Sequence, residues 1–164
     1  FSKTLGAIGG FAVSNHDGFD VLRVATRAYM FTASLPPSIV ASVRAALRIV
    51  RARPELKTKL WANVATLYDG LAAAGFQLGP QHGPVVAVQL PDLQLGITLW
   101  RALLEAGVYV NIAGKQATPG GIPLLRCSLS AAHSKAQLER VISTFVELGT
   151  HFGVLKPQKR SAVG

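Results

Sequence analysis

The sequence predicts an α/β fold, on three observations. A glycine-rich run at Gly6, Gly9 and Gly10 leads into a short apolar segment and then a helical pattern. Two amphipathic helical stretches follow between residues 36 and 75, and beyond residue 84 the apolar periodicity alternates between that of a strand and that of a helix. The 164 residues suffice for one sizeable core, and folding at that length buries roughly 70% of the unfolded chain's surface.

In chain order, residues 10–15 (GFAVSN) read as a short buried strand, and Asp17 as the cap of a helix running to about residue 27. Pro36 and Pro37 suit the first turn of a helix whose Ile39, Val40, Val43, Leu47 and Val50 share one face, with arginines opposite. Pro54 restarts the helix with a second stripe, Leu56, Leu60, Val64, Leu67 and Leu71, and Gly75 supplies a left-handed stop. Together these stretches predict one long bent connector. Next come a strand at 85–90, a helix at 92–106, strands at 108–112 and 124–129, and a helix from about 134 to 148. Ser134 and Gln137 form a capping box for the last helix, whose buried face is Leu138, Val141, Ile142 and Phe145. From Lys156 onward the sequence is polar and aperiodic, which predicts a mobile tail.

Apolar residues make up 49% of the chain and charged residues 15%. No stretch approaches the roughly 20 apolar residues that a membrane-spanning helix needs, so the chain is expected to be soluble, or peripheral to a membrane at most. The single cysteine, Cys127, excludes an internal disulfide, and no Cys/His cluster offers metal-ligand spacing. A reducing compartment fits. The net charge of +9 attracts anions, whether nucleic acid, acidic membrane, a phosphate cofactor or an acidic acyl carrier. The cations are dispersed over helices (Arg44, Arg48, Arg51, Arg53, Lys57, Lys59) without a basic stripe interleaved with aromatics, which argues against nucleic acid. Phe1 is not an initiator methionine, and the chain reads as part of something longer.

Two residues stand out chemically. Lys3 lies between apolar Phe1 and Leu5, ahead of the glycine run, a setting that predicts a desolvated amine. Burial disfavours the ammonium form, and a lysine unprotonated well below its reference pKa of roughly 10.4 can form a Schiff base with a carbonyl compound such as pyridoxal phosphate. Arg126 follows the apolar run 122–125, and a guanidinium there calls for a carboxylate to pair with bidentately. That carboxylate is a ligand's or belongs to a structural ion pair, although only 8 acidic residues face 17 basic ones. His16, His82 and His151 have no evident partner, and Trp61 and Trp100 sit in helical stripes and read as packing.

Five ordered segments carry a resemblance: FSKTLGAIGG (1–10), FTASLPP (31–37), Pro91-Asp92-Leu93 ahead of a helix bearing Leu99-Trp100, YVNIA (109–113) and LRCS (125–128). From Phe1 to about Leu155 the chain resembles the α-oxoamine synthases, fold-type I pyridoxal-phosphate enzymes that condense an amino acid with an acyl thioester. Members making aminolevulinate, aminoketobutyrate or aminooxononanoate usually carry glycine before the lysine, so Ser2 favours the serine-using, sphingolipid branch.

The resemblance implies that residues 1–53 end the cofactor-binding large domain of a fold-type I transferase, Schiff-base lysine included. Residues 54–155 would form a connecting helix and a small α/β domain with a mostly antiparallel sheet, and 156–164 a flexible tail. It implies pyridoxal 5′-phosphate as cofactor, held by Lys3, which then serves as general base at the amino acid's α-carbon. Ser2 would lie near the cofactor phosphate, and Thr32 would bind that phosphate from the partner subunit of a homodimer; otherwise Thr32 is a turn hydroxyl satisfied locally. Arg126 is the position the family uses for the substrate carboxylate, and His133 marks entry into the last helix.

The implied reaction is decarboxylating condensation of L-serine with a long-chain acyl thioester, on coenzyme A or acyl carrier protein, as the first step of sphingolipid synthesis. The implied enzyme is cytoplasmic, with peripheral contact to the inner membrane left open. Glycine or alanine as the amino acid, or a non-catalytic companion fragment, are the alternatives. One position departs from the pattern: related bacterial enzymes commonly carry a second arginine where this chain has Gly114, and the neighbouring Lys115 offers a flexible point charge in place of a fork. In this family the residues that stack on the cofactor ring and pair with its nitrogen precede the lysine, so this stretch by itself is expected to be inactive.

Overall fold

The structure, a computed structural model, describes residues 1–80 and 82–155. It divides into two compact units, Phe1–Pro54 and Glu55–Gly164.

The first unit opens on a tight turn, in which Gly6 donates its N–H to the Lys3 carbonyl at 3.1 Å. Gly6 has φ +58°, a left-handed conformation that glycine adopts without a Cβ penalty. The strand expected at 10–15 does not form. Its backbone is unpaired among the described residues, and Phe11 and Val13 are 68% and 80% exposed. A strand needs a neighbour to satisfy its N–H and C=O groups, and this unit supplies none. The helix expected from Asp17 is also broken. A 3-10 turn, Asp17–Val21, leads into two single-turn helices, α1 (Leu22–Ala25) and α2 (Arg27–Met30), separated by extended backbone at Thr26. Its cap is His16, not Asp17: the His16 Nδ1 accepts from the Gly18 N–H at 3.1 Å. Residues 21–30 are all exposed, and helices this short are marginal when no apolar face is packed.

Helix α3 (Pro37–Ala52) begins with proline in its first turn, as expected. Arg53, at φ −129° and ψ 66°, ends it. The next helix starts at Glu55, after the break that Pro54 was expected to make.

The second unit contains α4 (Glu55–Ala73), β1 (Val85–Gln89), α5 (Leu93–Glu105), β2 (Asn111–Ala113), β3 (Leu124–Ser128) and α6 (Lys135–His151). The sheet has the order β1-β3-β2 and is antiparallel throughout. Strand alternation sends Val86, Val88, Leu125 and Cys127 into a core shared with Leu67 and Leu71 of α4, Leu99 and Leu103 of α5, and Phe145 of α6. Phe76 and Phe145 meet edge to face with centroids 5.7 Å apart. A Cβ on Gly149 would lie 2.7 Å from the Phe76 ring, so only glycine lets α6 approach that ring.

Local signals in this unit held. Gly75 ends α4 at φ +100°, and the Ser134 and Gln137 side chains cap each other's backbone at 3.2 and 2.8 Å. Strand β2 is the exception, shorter and later than the expected 108–112. Val108 and Val110 are buried as a strand would bury them, but the Val110 carbonyl accepts from the Trp100 indole N–H at 2.9 Å instead of from β3. Trp100 therefore packs as expected, whereas Trp61 is 43% exposed. The expected tail at 156–164 lies outside the described residues.

Candidate functional site

The first unit carries Ser2, Lys3 and Thr32, all exposed. The expected burial of Lys3 is therefore not met. The cause is the same one that leaves Ile8, Phe11 and Val13 open: no described element covers this stretch. The glycine run does lie against the 31–37 segment, since a Cβ on Gly9 would collide with the Leu35 side chain. No hydrogen bond or ion pair among the described residues engages the Lys3 Nζ or the Ser2 and Thr32 hydroxyls.

The second unit carries Arg126, in the middle of β3 and directly opposite Ala87 of β1 and Asn111 of β2. Its side chain stands on the sheet face away from the core, exposed, and no described residue forms an ion pair or hydrogen bond with its guanidinium. Because residues 107–110 leave the ladder, a cleft of about 430 Å³ opens beside it, lined among others by Tyr109, Asn111, Arg126, Ser128, His133 and Arg140. Among the described residues no carboxylate lines this cleft. Arg140 is already committed, donating to the Ala106 carbonyl at 3.1 Å at the end of α5. Of the two guanidinium groups lining the cleft, that of Arg126 has no partner among the described residues.

His133 lies at the entry to α6, as expected. Its Nδ1 accepts from the Ser130 N–H at 3.1 Å, one residue before the α6 cap. Asn63 was missed by sequence reasoning. It is buried in α4, and its amide donates to the carbonyls of Ser130 and His133 at 2.9 and 3.1 Å, tying the turn after β3 to α4. An asparagine beside Val64 in an otherwise apolar stripe was the available signal. Gly114 has φ −84°, and a Cβ there would meet only ordinary contacts at 3.5 Å or more. The backbone does not require glycine at this position, where the resemblance implies an arginine.

Cys127 precedes Ser128 on β3 and faces the core, where burial pushes its thiol up to about 12. The thiolate is the reactive species, so iodoacetamide is expected to leave the folded protein unmodified at about pH 8 and to label it fully once urea unfolds it. The folded value lies above the unfolded one of about 8.5. Stability from the retained proton is therefore complete below about pH 8.5 and is lost as pH rises toward about 12.

The profile of the aminotransferase class I and II family matches residues 1–145, and the chain belongs to that family. Within it, the chain is 53% identical over 161 residues to serine palmitoyltransferase of Caulobacter vibrioides, covering 98% of this chain and 40% of that protein. It is 33% identical over 150 residues to 2-amino-3-ketobutyrate coenzyme A ligase of Escherichia coli K12, covering 92% of this chain and 38% of that protein. A solved variant of serine palmitoyltransferase from S. paucimobilis, with a bound PLP–myriocin aldimine, superposes with a TM-score of 0.90 at 44% identity, covering 94% of this chain and 39% of that one. The resemblance read from the motifs is thus borne out. The chain spans about two-fifths of the length of these relatives.

Proposed function

We propose that this chain is the C-terminal part of a pyridoxal-phosphate enzyme that condenses L-serine with a long-chain acyl thioester and releases carbon dioxide, as the first step of sphingolipid synthesis. The observation that carries the reading is the 53% identity to a serine palmitoyltransferase across nearly the whole chain, with Lys3, Thr32 and Arg126 all inside the family match over residues 1–145. The donor set fits the cofactor: an exposed primary amine suits its aldehyde, and two free hydroxyls suit its phosphate. When bound, the cofactor supplies an electron sink for charge developing at the substrate's α-carbon.

Lys3 is the residue that holds the cofactor and then takes the α-proton at its Nζ. Ser2 lies near the phosphate, and Thr32 reaches it from the partner subunit of a homodimer. Arg126 holds the substrate carboxylate through two directed bonds. The proposed enzyme is cytoplasmic, with peripheral contact to the inner membrane left open. Among the described residues no helix is long and apolar enough to cross a membrane. The acyl carrier is coenzyme A or acyl carrier protein. By the resemblance, the residues that stack on the cofactor ring and pair with its nitrogen precede Lys3, so the stretch alone is expected to be inactive.

Titrating the full-length holoprotein with amino acids tests the reading. L-serine is expected to shift the cofactor's absorbance with saturation, and glycine and L-alanine to bind more weakly. A shift with glycine and none with L-serine would move the protein to the branch that makes aminoketobutyrate or aminolevulinate.

A further inference from the structure

We infer that Asn111 is a second substrate-binding residue, whose side-chain amide donates a hydrogen bond to the amino-acid carboxylate beside Arg126. The inference rests on the proposed role of Arg126.

Register is the first ground. Asn111 is the Cα partner of Arg126 across the β2–β3 pair, and directly opposed residues in an antiparallel pair project to the same face with Cβ atoms about 4.5–5.5 Å apart. Both side chains are exposed on that face. On the other flank of Arg126 the opposed residue is Ala87, which offers only a methyl group. In the row across the sheet, Asn111 is therefore the polar neighbour of the guanidinium.

Fixed position is the second. The ladder begins at Asn111, and the residue before it is pinned by the Trp100 indole bonded to the Val110 carbonyl at 2.9 Å. The Asn111 backbone is thus held on both sides. Its Oδ1 lies 3.4 Å from the Tyr109 hydroxyl, a long hydrogen bond, and no described residue takes its Nδ2. With the oxygen turned to Tyr109, the two N–H donors remain for a ligand.

Chemistry is the third. A carboxylate offers about four lone-pair sites, of which a bidentate arginine takes two. A neutral amide beside the fork fills a third without adding charge. No described carboxylate lines the cleft to compete for either donor.

The test uses the full-length holoenzyme, with L-serine and L-serine methyl ester as probes, and reads the dissociation constant from the cofactor absorbance. Asn111→Ala is expected to weaken L-serine binding about ten- to a hundredfold, the range for one hydrogen bond to a charged group, and to leave binding of the methyl ester, which lacks the anion, unchanged. Asn111→Gln is expected to recover part of the loss. Equal weakening of both probes would reduce Asn111 to a structural role, and unchanged L-serine binding would remove it from the site. Arg126→Lys separates the two levels. If it weakens L-serine binding while Asn111→Ala does not, only the Asn111 assignment falls; if it has no effect, the carboxylate role of Arg126 falls, and this inference with it.

Discussion

Replacing Lys3 by alanine in the full-length protein is expected to lower turnover by at least about a thousandfold, because in the proposed function one amine performs two jobs. General-base catalysis by a placed side chain contributes about 10²–10⁴, and losing the covalent hold on the cofactor adds to that. Borohydride reduction followed by peptide mapping should fix the cofactor on the peptide containing Lys3 in the wild type and on none in the variant. Lys3→Arg provides the control for charge. A guanidinium stays protonated and cannot take a proton or attach to the cofactor, so it should be as inactive as alanine. Because the Lys3 side chain is exposed and makes no hydrogen bond or ion pair among the described residues, both variants should melt with the wild type when all are compared without cofactor. An adduct mapped to another lysine, or activity within about tenfold of wild type, would overturn the assignment, since neither is compatible with a base worth 10²–10⁴.

How much of the fold was legible depended on whether an element finds its partners within this chain. Strand β3 and helix α6 were readable because their apolar residues meet a complete core: Leu125, Cys127, Leu138 and Phe145 are all buried. The segment 10–15 has the same apolar character, yet Phe11 and Val13 stay exposed, because alternation specifies which face a strand buries but does not supply the neighbour. The expected burial of Lys3 failed for this reason too. Strand β2 was displaced by a single long-range event, the Trp100 indole taking the Val110 carbonyl, which no local pattern announces.

The candidate site was legible by a different route. Arg126 could be singled out as a guanidinium beside an apolar run, but its isolation from every described carboxylate is a tertiary fact. Lys3 and Thr32 were identified by motif, and the structure adds only that Gly9 rests on Leu35 within one unit. Asn111 could not be paired with Arg126 before the register was known: the two are joined by a strand pairing that starts one residue beyond the Val110–Trp100 bond. Gly114 shows the converse, a departure visible in sequence alone, for which the backbone at φ −84° gives no steric reason.

The same isolation makes Arg126 the position where substitution separates binding from folding. Arg126→Ala removes an exposed side chain with no described partner, so the domain should lose no more than about 0.5 kcal/mol, as for other surface changes. Substrate binding should suffer far more. Each hydrogen bond to a charged group is worth about 1.5–3 kcal/mol, and loss of a bidentate pair therefore predicts a KM for L-serine raised by about a hundredfold or more. Lysine in its place restores the charge but not the fork, so Arg126→Lys should fall between wild type and alanine, with a steeper salt dependence as a solvated point charge takes over from two directed bonds. The KM for the acyl thioester should stay within about twofold in both variants, because the lost interaction is with the amino acid alone. If the thioester KM rises and the L-serine KM does not, the guanidinium on β3 faces the acyl donor, and the carboxylate must be held elsewhere.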